Sequence, residues 1–223
     1  MRLSGSMKKS ATIPYIPSLR AMGAEQLRAA LLQGGVELAL DSHNWAADYP
    51  YAPTVKAHLA YDGEALAVMF DVAESHTKAV EMSDNGAVWE DSCVEFFVAN
   101  PVGEGYYNFE LNAIGTLLAA YRLSRETATH FDSQKLGQIT RYGTFSHEPI
   151  DITDGCSWWA AELIPFSAIG LSSAAPKSLR ANLYKCGDKL AAPHFMSWSP
   201  ITLDKPNFHC PEFFGTLIFE EYE

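Results

Sequence analysis

The sequence predicts an antiparallel β-sandwich, and three observations support that prediction. Short apolar segments with a period of two recur along the chain. Turn residues separate these segments at close intervals, with Asp62-Gly63 and Gly115 as the clearest examples. Apolar residues at helical spacing are convincing in one segment only. Many short strands with very little helix are typical of a sandwich.

The individual elements follow from local patterns. A helix is expected over residues 24–33, where leucines recur at helical spacing and two glycines follow directly. One helical turn closed by Gly170 is expected at 165–170. The segment 66–72 is apolar on both faces, which favours a central position in its sheet. Strands are expected at residues 55–61, 66–72, 92–99, 106–112, 116–123, 137–145, 156–164, 179–186 and 216–220.

The length of the chain fits one domain. Its 223 residues are ample to bury a core, and sandwiches often reach this length as a single unit. The sequence contains no convincing internal repeat and no low-complexity linker. We therefore expect one domain over residues 7–223, with residues 1–50 wrapping around it. Residues 1–6 look like an added leader ahead of Met7.

The chain is acidic, which excludes several classes of partner. Its net charge is −11 and its isoelectric point is about 5.0. A phosphate backbone requires basic stripes on the protein, and anionic membranes attract basic segments. The sequence also lacks the run of about 18 apolar residues that a transmembrane helix needs. We expect neither a nucleic acid nor a membrane as a partner.

The cysteines and the N-terminus bear on the compartment. Cys93, Cys156, Cys186 and Cys210 are too far apart for a Cys-x-x-Cys motif. Free buried thiols are therefore favoured, and they fit a reducing compartment. The N-terminus lacks the apolar core of a signal peptide. A cytoplasmic location is expected for the chain as written, and a periplasmic or secreted one if a signal has been removed.

Residues 89–98 (WEDSCVEFFV) hold the clearest functional pattern. Trp89 and the acidic pair Glu90-Asp91 lead into a strand in which Glu95 stands alone among apolar residues. A buried carboxylate needs a partner or a ligand. An indole beside carboxylates also suits a sugar, because the ring stacks on the C–H face of a pyranose and carboxylates accept hydrogen bonds from hydroxyls. A core tryptophan, with Glu95 paired to a buried arginine or lysine, explains the pattern equally well.

Other aromatic residues carry weaker patterns. Trp198 and Phe208 flank a loop that contains proline. Position alone favours the core for Trp198 and leaves Phe208 open. The neighbours Trp158 and Trp159 should place one ring in the core and the other outside the sheet, since neighbouring residues of a strand face opposite sides. The histidines show no zinc-ligand spacing. The acidic loops with Asp84, Asn85, Glu90 and Asp91, or with Asp151 and Asp154, could offer oxygen ligands to calcium, although neither has an EF-hand pattern.

Between roughly residues 50 and 220, ordered landmarks resemble the carbohydrate-binding module family 9-like domains, relatives of the DOMON sandwiches. Residues 89–98 are similar to the family signature, in which a tryptophan and acids precede a serine, a valine, a glutamate and apolar residues. The order and spacing of the landmarks carry the resemblance more than any single motif. The other matching segments are 66–72 (LAVMFDV), 106–112 (YYNFELN), 159–166 (WAAELIPF), 180–185 (RANLYK), 197–200 (SWSP) and 211–217 (PEFFGTL).

The resemblance implies a non-catalytic β-sandwich that binds a mono- or oligosaccharide and is linked to polysaccharide catabolism. Family members clamp the sugar between two tryptophans, which by position are Trp89 and Phe208 here. The family arginine that contacts sugar falls at Glu110. Calcium is a candidate structural ion, with no ligands assigned. The ligand-binding candidates are Trp89, Glu95, Phe208 and Asn112, followed by Glu90, Asp91, Glu110 and Trp198.

Two other functions stay open at this point. A glycoside-acting enzyme would use Glu90, Asp91 or Glu95 as acid and base. A DOMON-type module would bind haem, for which Met69 and His209 are the available residues. A protein partner bound by a domain with a degenerate sugar site is a further alternative, which the departures from the family pattern favour.

Overall fold

The computed structural model describes residues 8–172 and 175–222, and its core is formed by two β-sheets that pack face to face. The leader expected at residues 1–6 lies outside the described residues. The helices are α1 (Ala24–Gly34) and α2 (Ser133–Leu136). The strands are β1 (Ser10–Ile13), β2 (Val36–Ala39), β3 (Thr54–Tyr61), β4 (Ala65–Glu74), β5 (Thr77–Ala79), β6 (Cys93–Ala99), β7 (Tyr106–Asn112), β8 (Leu117–Arg122), β9 (Ala128–His130), β10 (Thr140–Gly143), β11 (Ile150–Ile152), β12 (Cys156–Pro165), β13 (Ser178–Cys186), β14 (Phe195–Ser197) and β15 (Gly215–Phe219).

The two large sheets form the sandwich that the sequence predicts. The front sheet has the order β1-β15-β13-β6-β7-β8-β9, with β14 paired to β13. The back sheet has the order β10-β12-β4-β3-β2, and β5 and β11 form a separate small ribbon. The pairing is antiparallel except between β1 and β15, which run parallel. β4 lies at the centre of the back sheet, as its two apolar faces predict.

Alternation along the strands divides the apolar residues into three layers. Val68 and Phe70 from the back sheet meet Phe96 and Phe109 from the front sheet in the central core. The outer face of the back sheet is covered by α1. The outer face of the front sheet carries its own apolar cluster, covered by loops. Among the described residues, no helix combines the length and apolar character needed to cross a bilayer.

The predicted elements are all present, and the missed ones are short. The expected helix is α1, and the expected turn before Gly170 is a 3₁₀ helix closed by that glycine at φ 81°. Trp158 lies in the central core and Trp159 under α1, as predicted for neighbours in one strand. The sequence analysis missed β1, β2, β5, β9, β11 and β14. β1 and β2 are edge strands of the two sheets, so part of the segment 1–50 extends the sheets rather than wrapping around them.

A buried ionic cluster joins the two sheets near one end. Lys185 Nζ of β13 lies 2.8 Å from Glu74 Oε2 of β4, and both side chains are fully buried. The same ammonium donates to His194 Nε2 at 2.8 Å, and Trp158 Nε1 donates to Glu74 Oε1 at 2.8 Å. Burial acts to raise the pKa of Glu74, but the charge and hydrogen bond of Lys185 outweigh it and hold that pKa below its usual value. Burial and the charge of Lys185 lower the pKa of His194 to about 3, so this imidazole is neutral and accepts the hydrogen bond from Lys185.

A second buried acid, Glu162, should make stability depend on pH. Glu162 lies on β12 opposite Arg141, and burial raises its pKa to about 8. Because the folded protein holds a proton there that the unfolded chain releases above its ordinary pKa, stability falls as pH rises toward 8. Glu162→Gln removes this titration. Between about pH 6.5 and pH 8, we expect the unfolding free energy of the variant to fall by about 1–2 kcal/mol less than that of the parent.

The measurement is urea unfolding at a series of pH values in that window, where groups that titrate in both proteins cancel in the difference between the parent and the variant. Equal pH slopes in the parent and in Glu162→Gln would show that Glu162 ionises normally. The parent and the variant can be compared directly, because glutamine keeps the shape of the neutral acid.

Candidate sugar-binding cavity

A cavity of about 310 Å³ opens on the outer face of the front sheet. It brings together Trp89, Glu95, Glu110 and Phe208, four of the residues singled out from the sequence. They come from a 3₁₀ turn, two strands and a loop near the C-terminus. The other lining residues are Arg122, Arg125, Cys186, Asp188, Phe195, Pro206, Asn207 and His209.

The register of the front sheet sets the floor of the cavity. Glu95 of β6 and Glu110 of β7 are direct partners across the two strands, so both side chains point to the outer face. Tyr184 of β13 is the partner of Glu95 on the other side. Arg122 ends β8 on the same face, since alternate residues of that strand, such as Ala119, lie in the central core.

Two aromatic rings border the cavity in different ways. Trp89 stands in the turn Val88–Glu90 before β6, and it is 37% exposed although Val88 beside it is fully buried. Phe208 is almost covered, and its ring stacks on Tyr184 with centroids 4.1 Å apart and planes 6° apart. The ring of Trp89 is therefore accessible to a ligand, whereas the plane of the Phe208 ring is fixed by the core beneath it.

One amide ties the charged floor together. Asn108 of β7 donates from Nδ2 to Glu110 Oε1 at 2.8 Å and accepts at Oδ1 from Arg122 Nε at 2.8 Å. Arg122 also donates from Nη1 to the Arg125 carbonyl at 2.6 Å. These bonds hold an arginine and a glutamate side by side without a direct ion pair, which leaves polar atoms of both available to a ligand.

The carboxyl groups of the cavity hold protons unusually well. Burial, followed by the charge of Glu110, raises the pKa of Glu95 well above its usual value. Burial raises the pKa of Glu110 to about 7, with Arg122 opposing the shift. Burial also raises the pKa of Asp188 to about 6. Near neutral pH the cavity therefore offers both hydrogen-bond donors and acceptors, the mixture that sugar hydroxyls require.

The structure does not bring four of the candidates into the cavity. Asn112 and Asp91 are buried and bonded to each other, and Asp91 also accepts from the backbone of Val80 at 3.1 Å. Both residues order the loop before β6 instead. Glu90 pairs with Lys189 at 2.7 Å beside a neighbouring depression.

Trp198 is the fourth candidate outside the cavity, and it belongs to the central core as its position favoured. Gly215 makes this packing feasible, because a Cβ there would lie 2.6 Å from the indole.

The residues suggested for haem and calcium are also dispersed. Met69 lies under α1 on the far side of the sandwich, whereas His209 lines the cavity and bonds to Tyr106. Asp84 is occupied by Arg141 at 2.7 Å, and Asp151 by His76 at 2.7 Å. These acids serve ion pairs within the fold, so the geometry supports neither a haem site nor a calcium site at these residues.

Sequence reasoning missed several lining residues, notably Arg122 and Asp188. Arg122 lies on the predicted strand 116–123. Alternation along that strand puts it on the same face as Glu110, but only when the β7–β8 register is known. Asp188 had no sequence signal, because it follows β13 in a loop whose backbone nitrogen bonds to the Trp89 carbonyl at 3.1 Å. That contact couples two segments about a hundred residues apart.

Comparisons with known proteins show the family and the fold that this chain shares. A model of the carbohydrate-binding family 9 matches residues 25–219. A candidate carbohydrate-binding protein from Bacteroides uniformis ATCC 8492 is 40% identical over 96% of this chain and 100% of its own, with a TM-score of 0.90. A search of curated proteins gives no match.

Two structures of a family 9 carbohydrate-binding module from Caldicellulosiruptor kristjanssonii share the fold at 12% identity. The complex with cellotriose covers 96% of this chain and 95% of its own, with a TM-score of 0.63. The complex with glucose covers 96% and 97%, with a TM-score of 0.58.

Proposed function

The chain belongs to carbohydrate-binding family 9, and from that premise we propose that its front-sheet cavity binds a mono- or oligosaccharide without transforming it. One observation carries the proposal: the exposed ring of Trp89, the fixed ring of Phe208 and several carboxyl groups line one cavity. Cellotriose and glucose complexes of the Caldicellulosiruptor module support a sugar as the class of ligand.

The proposed roles follow from the chemistry of each side chain. Trp89 stacks on the C–H face of a pyranose, and Phe208 provides an apolar surface held by Tyr184. Glu95, Glu110 and Asp188 bond to hydroxyls. Arg122 supplies a guanidinium next to Glu110, which supports a sugar site even though an acid stands at the family arginine position.

Asp188→Asn tests this assignment with little risk to the fold, since Asp188 as a whole is exposed at the rim of the cavity even though its carboxyl group is shielded from water. Above its pKa of about 6 the carboxylate accepts strong hydrogen bonds from hydroxyls. We expect about tenfold weaker sugar binding for the variant near pH 7.5. Isothermal titration with glucose, xylose, galactose and their disaccharides measures the change.

Glu90→Gln is the matched control, because it makes the same carboxylate-to-amide change just outside the cavity. It should bind like the parent protein. Titrations of the parent that stay flat at millimolar sugar would contradict the proposed function. Equal losses in both variants would instead contradict the role of Asp188.

The proposal includes a link to polysaccharide catabolism, in which the domain binds a sugar on which other proteins act. The glycosidase alternative loses support, because Glu90 and Asp91 lie outside the cavity that contains Glu95. Turnover of chromogenic glycosides that disappears in Glu95→Gln would restore that alternative.

A further inference from the structure

Three metal-binding side chains form a compact cluster beneath the cavity. Cys93 and Glu95 stand two residues apart on β6, and Cys186 is the direct cross-strand partner of Cys93 on β13. All three point to the outer face of the front sheet and are buried. Their two sulfur atoms and one carboxylate oxygen lie within 4.8 Å of one another, and Cys186 Sγ donates to Glu95 Oε1 at 3.0 Å.

Glu95 lacks the cationic partner that a buried carboxylate needs. It is 3% exposed, and among the described residues it forms no salt bridge with a lysine, arginine or histidine. Its hydrogen bond comes from the Cys186 thiol, a weak donor. Lys185, which sits next to Cys186, points the other way and is paired with Glu74. A cation bound among the three side chains would supply the opposite charge that lets Glu95 lose its proton in this buried position.

We propose that Cys93, Glu95 and Cys186 bind one divalent thiophilic ion of the zinc class. Two thiolates with one carboxylate select zinc over calcium or magnesium, which prefer oxygen ligands. On binding, the two thiols and the Glu95 carboxyl group release their protons to solvent, and the two thiolates and one carboxylate oxygen ligate the ion.

The position of the cluster leaves the fourth ligand to the cavity. Glu95 and Cys186 line the cavity floor, whereas Cys93 lies beneath them. An ion held by the three is therefore reached from the cavity side, where water or a sugar hydroxyl completes a tetrahedron. Glu95 is shared with the proposed sugar site, but binding of the ion requires no sugar, so titration with metal alone tests the ion site independently of sugar binding.

The test is titration of the full chain, kept reduced and stripped of metal, with Zn²⁺ alone and then with Co²⁺ alone. Calorimetry should give one Zn²⁺ per chain. Bound Co²⁺ should show thiolate-to-metal charge transfer and the intense visible bands of a tetrahedral site. Cys93→Ser and Cys186→Ser should each weaken Zn²⁺ binding at least about tenfold.

Cys210→Ser is the matched control, since Cys210 is also a buried thiol of the outer-face cluster but bonds to the Asn207 carbonyl at 3.1 Å. It should bind Zn²⁺ like the parent. Absence of Zn²⁺ binding, a Co²⁺ spectrum without thiolate charge transfer, or an equal loss in Cys210→Ser would each overturn the proposal. If Cys186→Ser fails to fold, the Co²⁺ spectrum of the parent and the affinity of Cys93→Ser still decide.

Discussion

Trp89→Ala is expected to remove most of the sugar affinity and to leave the fold unchanged. The indole is 37% exposed and borders the cavity, so its loss removes a stacking surface without opening a hole in the core. Covering one face of such a ring is worth about 1.5–3 kcal/mol, or roughly tenfold to a hundredfold in affinity. Isothermal titration, with thermal unfolding in parallel, measures both effects.

Two further variants sharpen this expectation. Trp89→Phe keeps a smaller ring and should recover part of the affinity. Leu32→Ala removes a comparably exposed apolar side chain from α1, on the opposite side of the sandwich, and should leave binding unchanged. Full affinity in Trp89→Ala would show that the sugar does not stack on this ring.

Lys185→Met is expected to cost about 3–5 kcal/mol of unfolding free energy. The side chain is fully buried between the sheets, and its ammonium is 2.8 Å from both Glu74 Oε2 and His194 Nε2. Methionine fills a similar volume but leaves Glu74 as an uncompensated buried charge. Chemical denaturation of the parent and the variant measures the difference.

The double variant Lys185→Met with Glu74→Gln identifies the cause. Removing the stranded charge should recover much of the lost stability, because the penalty comes from the unpaired acid rather than from lost packing. Lys189→Ala, which breaks the exposed pair with Glu90, should cost under about 1 kcal/mol. A double variant no more stable than Lys185→Met would mean that packing around Lys185, and not charge, holds this end of the sandwich.

The sequence predicted the long strands well because their patterns are strong over many residues. Short edge strands such as β9 and β14 were missed, since three residues carry no readable period and form only where a neighbouring strand pairs with them. The candidate residues divide in the same way. Glu95 stood out as an acid within an apolar strand. No local feature showed that Asn112 would order a loop, through hydrogen bonds to the Glu81 carbonyl and to Asp91, rather than line the cavity.

The sequence by itself determined the class of fold and singled out Trp89 and Glu95 as candidate site residues, because apolar periodicity and an isolated polar residue are local properties. Only the tertiary structure decided which side chains share the cavity. Strand register placed Glu110 opposite Glu95 and Cys186 opposite Cys93. Loop packing brought Asp188 to Trp89 and excluded Asp91. Such contacts depend on pairing between segments far apart in the chain, which no local pattern encodes.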